Sequence, residues 1–268
     1  MVKSESFIKT TLHTIFVASV YLFMYLPLII LIMNSFNGSE LASKWSGITL
    51  SWYQELFNSP EIASATWNSL VVAITSTTLC IILGTSFVIG TLRNKITFSD
   101  ALFYPNIFTP DIVLALTVLS LFKFLGLACG FTSLIIGHTA IGLVFVIPII
   151  RTRINELDKN LIEASLDLGA NYLYTTQKII LPLLMPAIVT AAFMAFTISL
   201  DDFFISFFCS GNEIETLSLY IFSHQRTQSS PVLSALSTCM IIGSILLLAS
   251  LFGLQKHIER RAENAKKL

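Results

Sequence analysis

Apolar residues in this chain come in runs too long for strands or ordinary globular helices. Six runs, at residues 12–33, 67–92, 101–125, 131–150, 181–208 and 233–254, are almost free of charge. Each has the roughly 20 residues that an α-helix needs to cross about 30 Å of hydrocarbon. They are continuous rather than alternating, so they predict helices and not the strands of a barrel. The first is too long for the apolar core of a cleaved leader and is closed by no small-x-small site, which predicts a retained span. The expected fold class is an all-α membrane protein of six transmembrane helices, forming one domain over residues 1–268.

Composition narrows the function classes. Hydrophobic residues make up 54% of the chain and charged residues 12%, against about 25% charged in a soluble domain. That is too little polar surface to coat a water-soluble globule, which excludes a cytosolic enzyme and a nucleic-acid binder. The 16 basic and 16 acidic residues cancel, but their placement is uneven. With the N-terminus inside, 13 of the 16 Lys and Arg fall in inner segments, and only Lys44, Lys123 and Arg226 fall outside. The positive-inside rule then places both termini in the cytoplasm and favours an even number of spans. Cys80, Cys129, Cys209 and Cys239 form no CxxC pair and are expected as small buried hydrophobes, not as a metal site or disulfide frame. Gly126 and Gly130 make a GxxxG pattern at a span end, and His138 is expected to hydrogen-bond a neighbouring helix from inside the fourth span.

Three loops are long. Residues 34–66 and 209–232 lie outside, and residues 151–180 form the long inner loop, longer than a simple connection needs. Within it, Leu161, Ile162, Ala164, Leu168 and Leu173 recur at roughly helical spacing among Lys159, Glu163 and Asp167. This predicts a short amphipathic helix over 158–168, ended by Gly169, and a second helix from Asn171 toward Pro182. The first helix either packs under its own bundle or offers its apolar face to something else.

Only Asp111, Asp201 and Asp202 are acidic residues within predicted spans. One aspartate at the bilayer centre costs roughly 2.5–3.5 kcal/mol on insertion scales, so three without a basic partner in any span point to a cavity or a partner helix. Counted from the inner ends of their helices, Asp111 lies about 15 Å deep and Asp201 about 27 Å up. Asp201 and Asp202 point about 100° apart on one helix, so one is expected to face the path and the other an adjoining helix. Ser199 on the same turn adds a hydroxyl. Pro110 frees a backbone carbonyl in the preceding turn. The alternatives are that Asp111 caps a helix after a proline break, and that the Asp pair is simply exposed at the outer end. In the first outer loop Trp45 and Trp52 read as interfacial anchors, with Trp52 the better candidate for a cation–π contact. There is no metal-ligand spacing, no catalytic constellation and no phosphate-binding G-x-x-x-x-G-K-[ST] loop.

Glu163-Ala164-Ser165, three residues, Gly169, nine residues, Ile179, one residue and Leu181-Pro182 resemble the EAA loop of binding-protein-dependent ABC importer permeases, with Ser165 where the family usually has a second alanine. Tyr25-Leu26-Pro27 with Asn34-Ser35-Phe36, Pro110-Asp111-Ile112-Val113, Ser199-Leu200-Asp201-Asp202 and the Ser51-Trp52-Tyr53 stretch are similar to the permeases of spermidine/putrescine importers. The resemblance implies a type I ABC importer permease fold in a bacterial inner membrane and no catalysis by this chain. It implies a second homologous permease, a cytoplasmic ATP-binding cassette ATPase dimer that binds ATP and Mg²⁺, and an extracytoplasmic polyamine-binding protein, with lipid around the spans. In that setting Glu163, Ala164, Ser165 and Gly169 belong to the coupling helix, Glu163 contacting the ATPase and Gly169 setting the angle between the two inner helices. Asp111, Ser199, Asp201, Asp202 and Trp52 line the substrate path. A permease for an iron complex, thiamine or phosphate is the alternative, although a phosphate path should carry basic residues. A lone channel has no need of the coupling loop, and a membrane enzyme should cluster catalytic groups at one face.

Overall fold

The computed structural model describes residues 2–39, 44–94, 108–212, 214–227 and 231–266, and those residues are helical apart from short connections and one isolated antiparallel bridge, Asn37 to Ile48. The helices are α1 (Val2–Ser35), α2 (Ser51–Asn58), α3 (Pro60–Asn94), α4 (Asp111–Phe124), α5 (Phe131–Asn155), α6 (Lys159–Asp167), α7 (Tyr172–Thr175), α8 (Leu181–Asp201), α9 (Phe204–Cys209), α10 (Leu217–Thr227) and α11 (Pro231–Lys266). Among the described residues, five helical stretches are long and apolar enough to cross a membrane: Thr11–Ser35, Pro60–Leu92, Phe131–Asn155, Tyr172–Asp201 and Pro231–Lys256. The spans expected at 12–33, 67–92, 131–150 and 233–254 fall within four of them.

Two expected spans differ. The run at 101–125 is not one helix in its described part. Helix α4 starts at Asp111 and has 14 residues, about 21 Å of rise, too short to cross alone. Pro110 sets the boundary at ψ 137°, because proline lacks an N–H and pushes the chain before it out of the helical region. Residues 101–107 lie outside the described residues, so the depth of Asp111 cannot be counted from Ala101. The run at 181–208 also breaks, after Asp201. Asp202 is extended, at φ −66° and ψ 127°, and a separate short helix α9 follows. On its inner side this run continues back through a five-residue π-turn, Thr176–Ile180, to Tyr172. The Leu181 N–H reaches Thr176 O rather than the usual i−4 carbonyl, and Pro182 donates no helix bond at all, so the turn widens where the ladder is already interrupted. The outer loop expected at 34–66 contains helix α2 and the start of α3. Gly126 turns the chain at φ +67° and Gly130 caps α5.

Contacts divide the chain into two units, Met1–Ser59 with Ser223–Gly243, and Pro60–Phe222 with Ser244–Leu268. In the first, every side chain from Thr11 to Ile30 is exposed, as suits a helix covered by lipid or another chain. Its outer segment is ordered by Asn37, whose amide donates to Lys44 O and whose Oδ1 accepts from the Ser39 and Ser46 N–H groups. In the second unit, α3, α5 and α8 pack on one another, and α4 and α9 pack together beside α5. One apolar cluster joins Cys80 and Val88 to Val146, Ile150, Ile180 and Leu184. A second joins Val72, Ala115, Phe122, Leu134, Ile205 and Cys209. The helices approach closely where glycine faces a side chain: a Cβ on Gly137 would stand 2.5 Å from Ile205 Cγ2, and one on Gly142 would stand 2.5 Å from Cys80 Sγ. All four cysteines are free thiols, with Cys80 and Cys209 fully buried.

Candidate functional site

The acidic region expected at the outer end is built from helix ends. Asp111 is the first residue of α4 and is exposed, where its charge is favoured by the partial positive charge of the helix N-terminus. It is not the cap, since Pro110 occupies that position, and the Pro110 carbonyl accepts from the Val113 N–H at 2.9 Å. The carbonyl expected to be freed one turn earlier lies outside the described residues. Asp201 ends α8 and is also exposed.

Asp202 differs from both. It is 8% exposed, and its Oδ2 accepts from the Ile205 N–H at 2.9 Å and the Ser206 N–H at 3.2 Å. These are the N–H groups of the first turn of α9 that lack a partner within that helix. Its backbone carbonyl accepts from Ser206 Oγ at 3.1 Å and Ser218 Oγ at 2.7 Å. His138 Nε2 stands 3.6 Å from Asp202 Oδ2. Asp202 therefore has an imidazole beside it, on α5, that the run of sequence around it does not show. His138 Nδ1 faces Leu134 O at 2.8 Å; a carbonyl only accepts, so Nδ1 carries a proton. With Nδ1 so occupied, a favourable contact between Nε2 and the Asp202 carboxyl needs one further proton, held by either group. Ser199 is 6% exposed, and its hydroxyl pairs with Ser76 Oγ at 3.2 Å across α8 and α3, so it joins two helices.

Around the break, Phe203 packs on Phe222 with ring centroids 4.4 Å apart and on Phe207 at 5.4 Å. Phe204 and Phe207 remain 38% and 50% exposed, which leaves aromatic surface on the two turns after Asp201. The start of α10 is tied to α3: Ser69 Oγ accepts from the Leu217 N–H at 2.7 Å, and Asn68 Nδ2 donates to Glu215 O at 3.0 Å. Trp52, in the other unit, donates its indole N–H to Asn37 O at 2.7 Å and is half-buried, while Trp45 is exposed. The neighbouring Tyr53 hydroxyl lies 2.7 Å from Ser35 Oγ. The sequence pointed to His138 as a helix-to-helix contact without naming Asp202, and gave no sign of Ser76, Ser69 and Ser218 as partners, because a polar side chain in an apolar run does not announce which helix it meets.

At the inner end the expected helix pair is present. Asp158 caps α6 by accepting from the Asn160 N–H, and Asn171 caps α7 by accepting from the Tyr174 N–H, each satisfying a donor the helix itself cannot. Gly169, at φ +86°, closes α6 with a Schellman motif. The Ala170 N–H reaches Ser165 O at 3.1 Å and the Gly169 N–H reaches Leu166 O at 2.9 Å, the paired bonds that define it. Ser165 is buried, and its hydroxyl pairs with Thr175 Oγ1 at 2.9 Å, which fastens α6 to α7. Ile162 packs on the apolar cluster of the bundle. Glu163 and Ala164 are exposed, and so are Leu161, Leu166 and Leu168, the last at 89%. An open cleft of about 660 Å³ lies between α6, Gly169 and Tyr174. The helix thus packs under its bundle through one face and leaves an apolar face with an acidic side chain uncovered.

Known proteins resemble this chain in sequence and in fold. The family model described as binding-protein-dependent transport system inner membrane component matches residues 4–264. The chain is 38% identical to the spermidine/putrescine transport system permease protein PotC of Haemophilus influenzae, over 88% of this chain and 93% of that one. It is 35% identical to PotC of Escherichia coli, over 87% and 89%. It is 34% identical to the putrescine transport system permease protein PotI of Escherichia coli, over 84% and 83%. A chain of a bacterial ABC transporter involved in the import of the acidic polysaccharide alginate shares the fold, with a TM-score of 0.72 at 17% identity over 92% of this chain and 96% of that one. A chain of the MetNI methionine ABC transporter does so with a TM-score of 0.61 at 18% identity, over 72% and 94%. With a multi-span helical fold, an inner helix pair in the expected place and a family match over nearly its full length, the chain belongs to the inner membrane components of binding-protein-dependent transport systems.

Proposed function

We propose that this chain is the permease subunit of an ATP-driven spermidine/putrescine importer, forming half of the translocation path in a bacterial inner membrane. The observation that carries this reading is the 34–38% identity to polyamine permeases over 84–88% of the chain. Two features of the outer region support it. Asp111 and Asp201 are exposed carboxylates at helix ends in otherwise apolar sequence, and aromatic surface follows Asp201. A polyamine is a chain of ammonium groups separated by methylenes. It gains from charge-assisted hydrogen bonds at the carboxylates and from cation–π contact with rings between them.

In this reading the chain has six spans with both termini in the cytoplasm and the type I ABC importer permease fold, organised as a single permease domain. It pairs with a second homologous permease, receives cargo from an extracytoplasmic polyamine-binding protein, and rests α6 in a groove of a cytoplasmic ATPase dimer where ATP and Mg²⁺ bind. Glu163 makes the polar contact there, and the exposed leucines of α6 make the apolar one. Nucleotide-driven closure of the ATPase draws the two permeases' coupling helices together and biases the spans between outward- and inward-facing states.

The test is uptake of labelled spermidine, putrescine, amino acids and sugars by cells expressing the whole transporter. Polyamines alone should accumulate. Asp111→Asn and Asp201→Asn should each lower that uptake about tenfold or more, the scale of one lost charge-assisted contact, while the complex still assembles. Accumulation of another solute class, or normal polyamine uptake in both variants, overturns the reading.

A further inference from the structure

Asp202 sits beside an exposed acid yet faces the other way. Its carboxylate accepts from the Ile205 and Ser206 N–H groups with His138 Nε2 3.6 Å away, and its carbonyl accepts from Ser206 and Ser218. One residue therefore meets α5, α9 and α10 at the point where α8 stops. The chain is extended there, at ψ 127°, which releases α8 from its helical path and lets Phe203 turn onto Phe222. We propose that Asp202 is a positioning residue: buried against His138, it fixes the break between α8 and α9 and thereby sets where Asp201 and the Phe203 ring stand, without contacting the cargo itself.

The proposal rests on the polyamine reading above, and its chemistry separates the two adjacent aspartates. A capping role needs an oxygen acceptor, which asparagine and serine also supply and alanine does not. An ion-pairing role needs the charge, which asparagine lacks. Asp202→Asn and Asp202→Ser should thus keep transport, whereas Asp201→Asn should lose it.

The experiment measures the concentration dependence of labelled spermidine uptake by the complete transporter in proteoliposomes, with assembly checked by co-purification. D202N and D202S are expected within about threefold of the unmodified protein, and D202A about tenfold weaker in apparent KM. Because Asp202 acts through Asp201, D202A should add little to D201N when the two are combined. Loss of uptake in D202N equal to that in D202A shows that the charge is needed and overturns the proposal. So does an unaltered D202A, or a D202A effect that multiplies in full on the D201N background. Should D202A fail to assemble, D202N decides alone: near-native uptake upholds the proposal, and a loss matching D201N refutes it. Normal uptake by D201N, by contrast, defeats the acidic-path reading and not the capping geometry, which D202N against D202A still reports through assembly.

Discussion

Gly169 offers a clean probe of the inner helix pair, because a Cβ there would meet nothing within 4 Å. An alanine there is therefore opposed by backbone conformation and not by contacts within this chain. The residue holds φ +86°, and a left-handed conformation costs an L-residue about 1–2 kcal/mol. Alanine regains about 0.4–1 kcal/mol by restricting the unfolded chain, leaving a net cost between about 0 and 1.6 kcal/mol. Asparagine tolerates the conformation and should cost less still. Valine is a genuine outlier at positive φ, and the easiest escape is to abandon both bonds of the Schellman turn, at about 1 kcal/mol each. A total above about 2 kcal/mol changes the ratio of formed to frayed turn about thirtyfold. Hydrogen exchange at the Gly169 and Ala170 amides reads the turn directly, and the ratio of spermidine transported to ATP hydrolysed in proteoliposomes reads its consequence. The expected order of loss is Val, then Ala, then Asn, with the bundle intact. Asparagine as harmful as valine, or valine with native exchange and native coupling, would refute the assignment of that angle to Gly169.

Glu163→Lys reverses the exposed charge on α6 and should release the ATPase or uncouple its hydrolysis from uptake; co-purification and uptake both unchanged would remove Glu163 from the contact. Gly137→Val places a branched side chain where a single Cβ already approaches Ile205 Cγ2 to 2.5 Å, so α9 must move off α5 at a cost of about 1–3 kcal/mol. The expected readout is a lower melting temperature of the detergent-solubilised complex together with weaker polyamine uptake, and an unshifted melting curve would contradict the packing.

The sequence by itself determined the greasy helical class, the position of most spans and the inner helix pair. These are local matters. Hydrophobic length decides insertion, Asp158 and Asn171 lie where caps are needed, and Gly169 lies where the chain must turn left-handed. Ser165, a departure from the family pattern, could be read as small, but its bond to Thr175 needed the second helix in place. The tertiary structure alone decided which polar groups in the spans are spoken for. Asp201 and Asp202 are neighbours of one residue type, and only the helix break, with His138 arriving from α5 and Ser218 from α10, makes one a buried acceptor and leaves the other open to solvent or cargo. Ser199 likewise meets Ser76 of α3, a partner its own run does not reveal. Apolar periodicity measures transfer into the bilayer one residue at a time, whereas a hydrogen bond between spans depends on rotation and register that no single run of sequence contains.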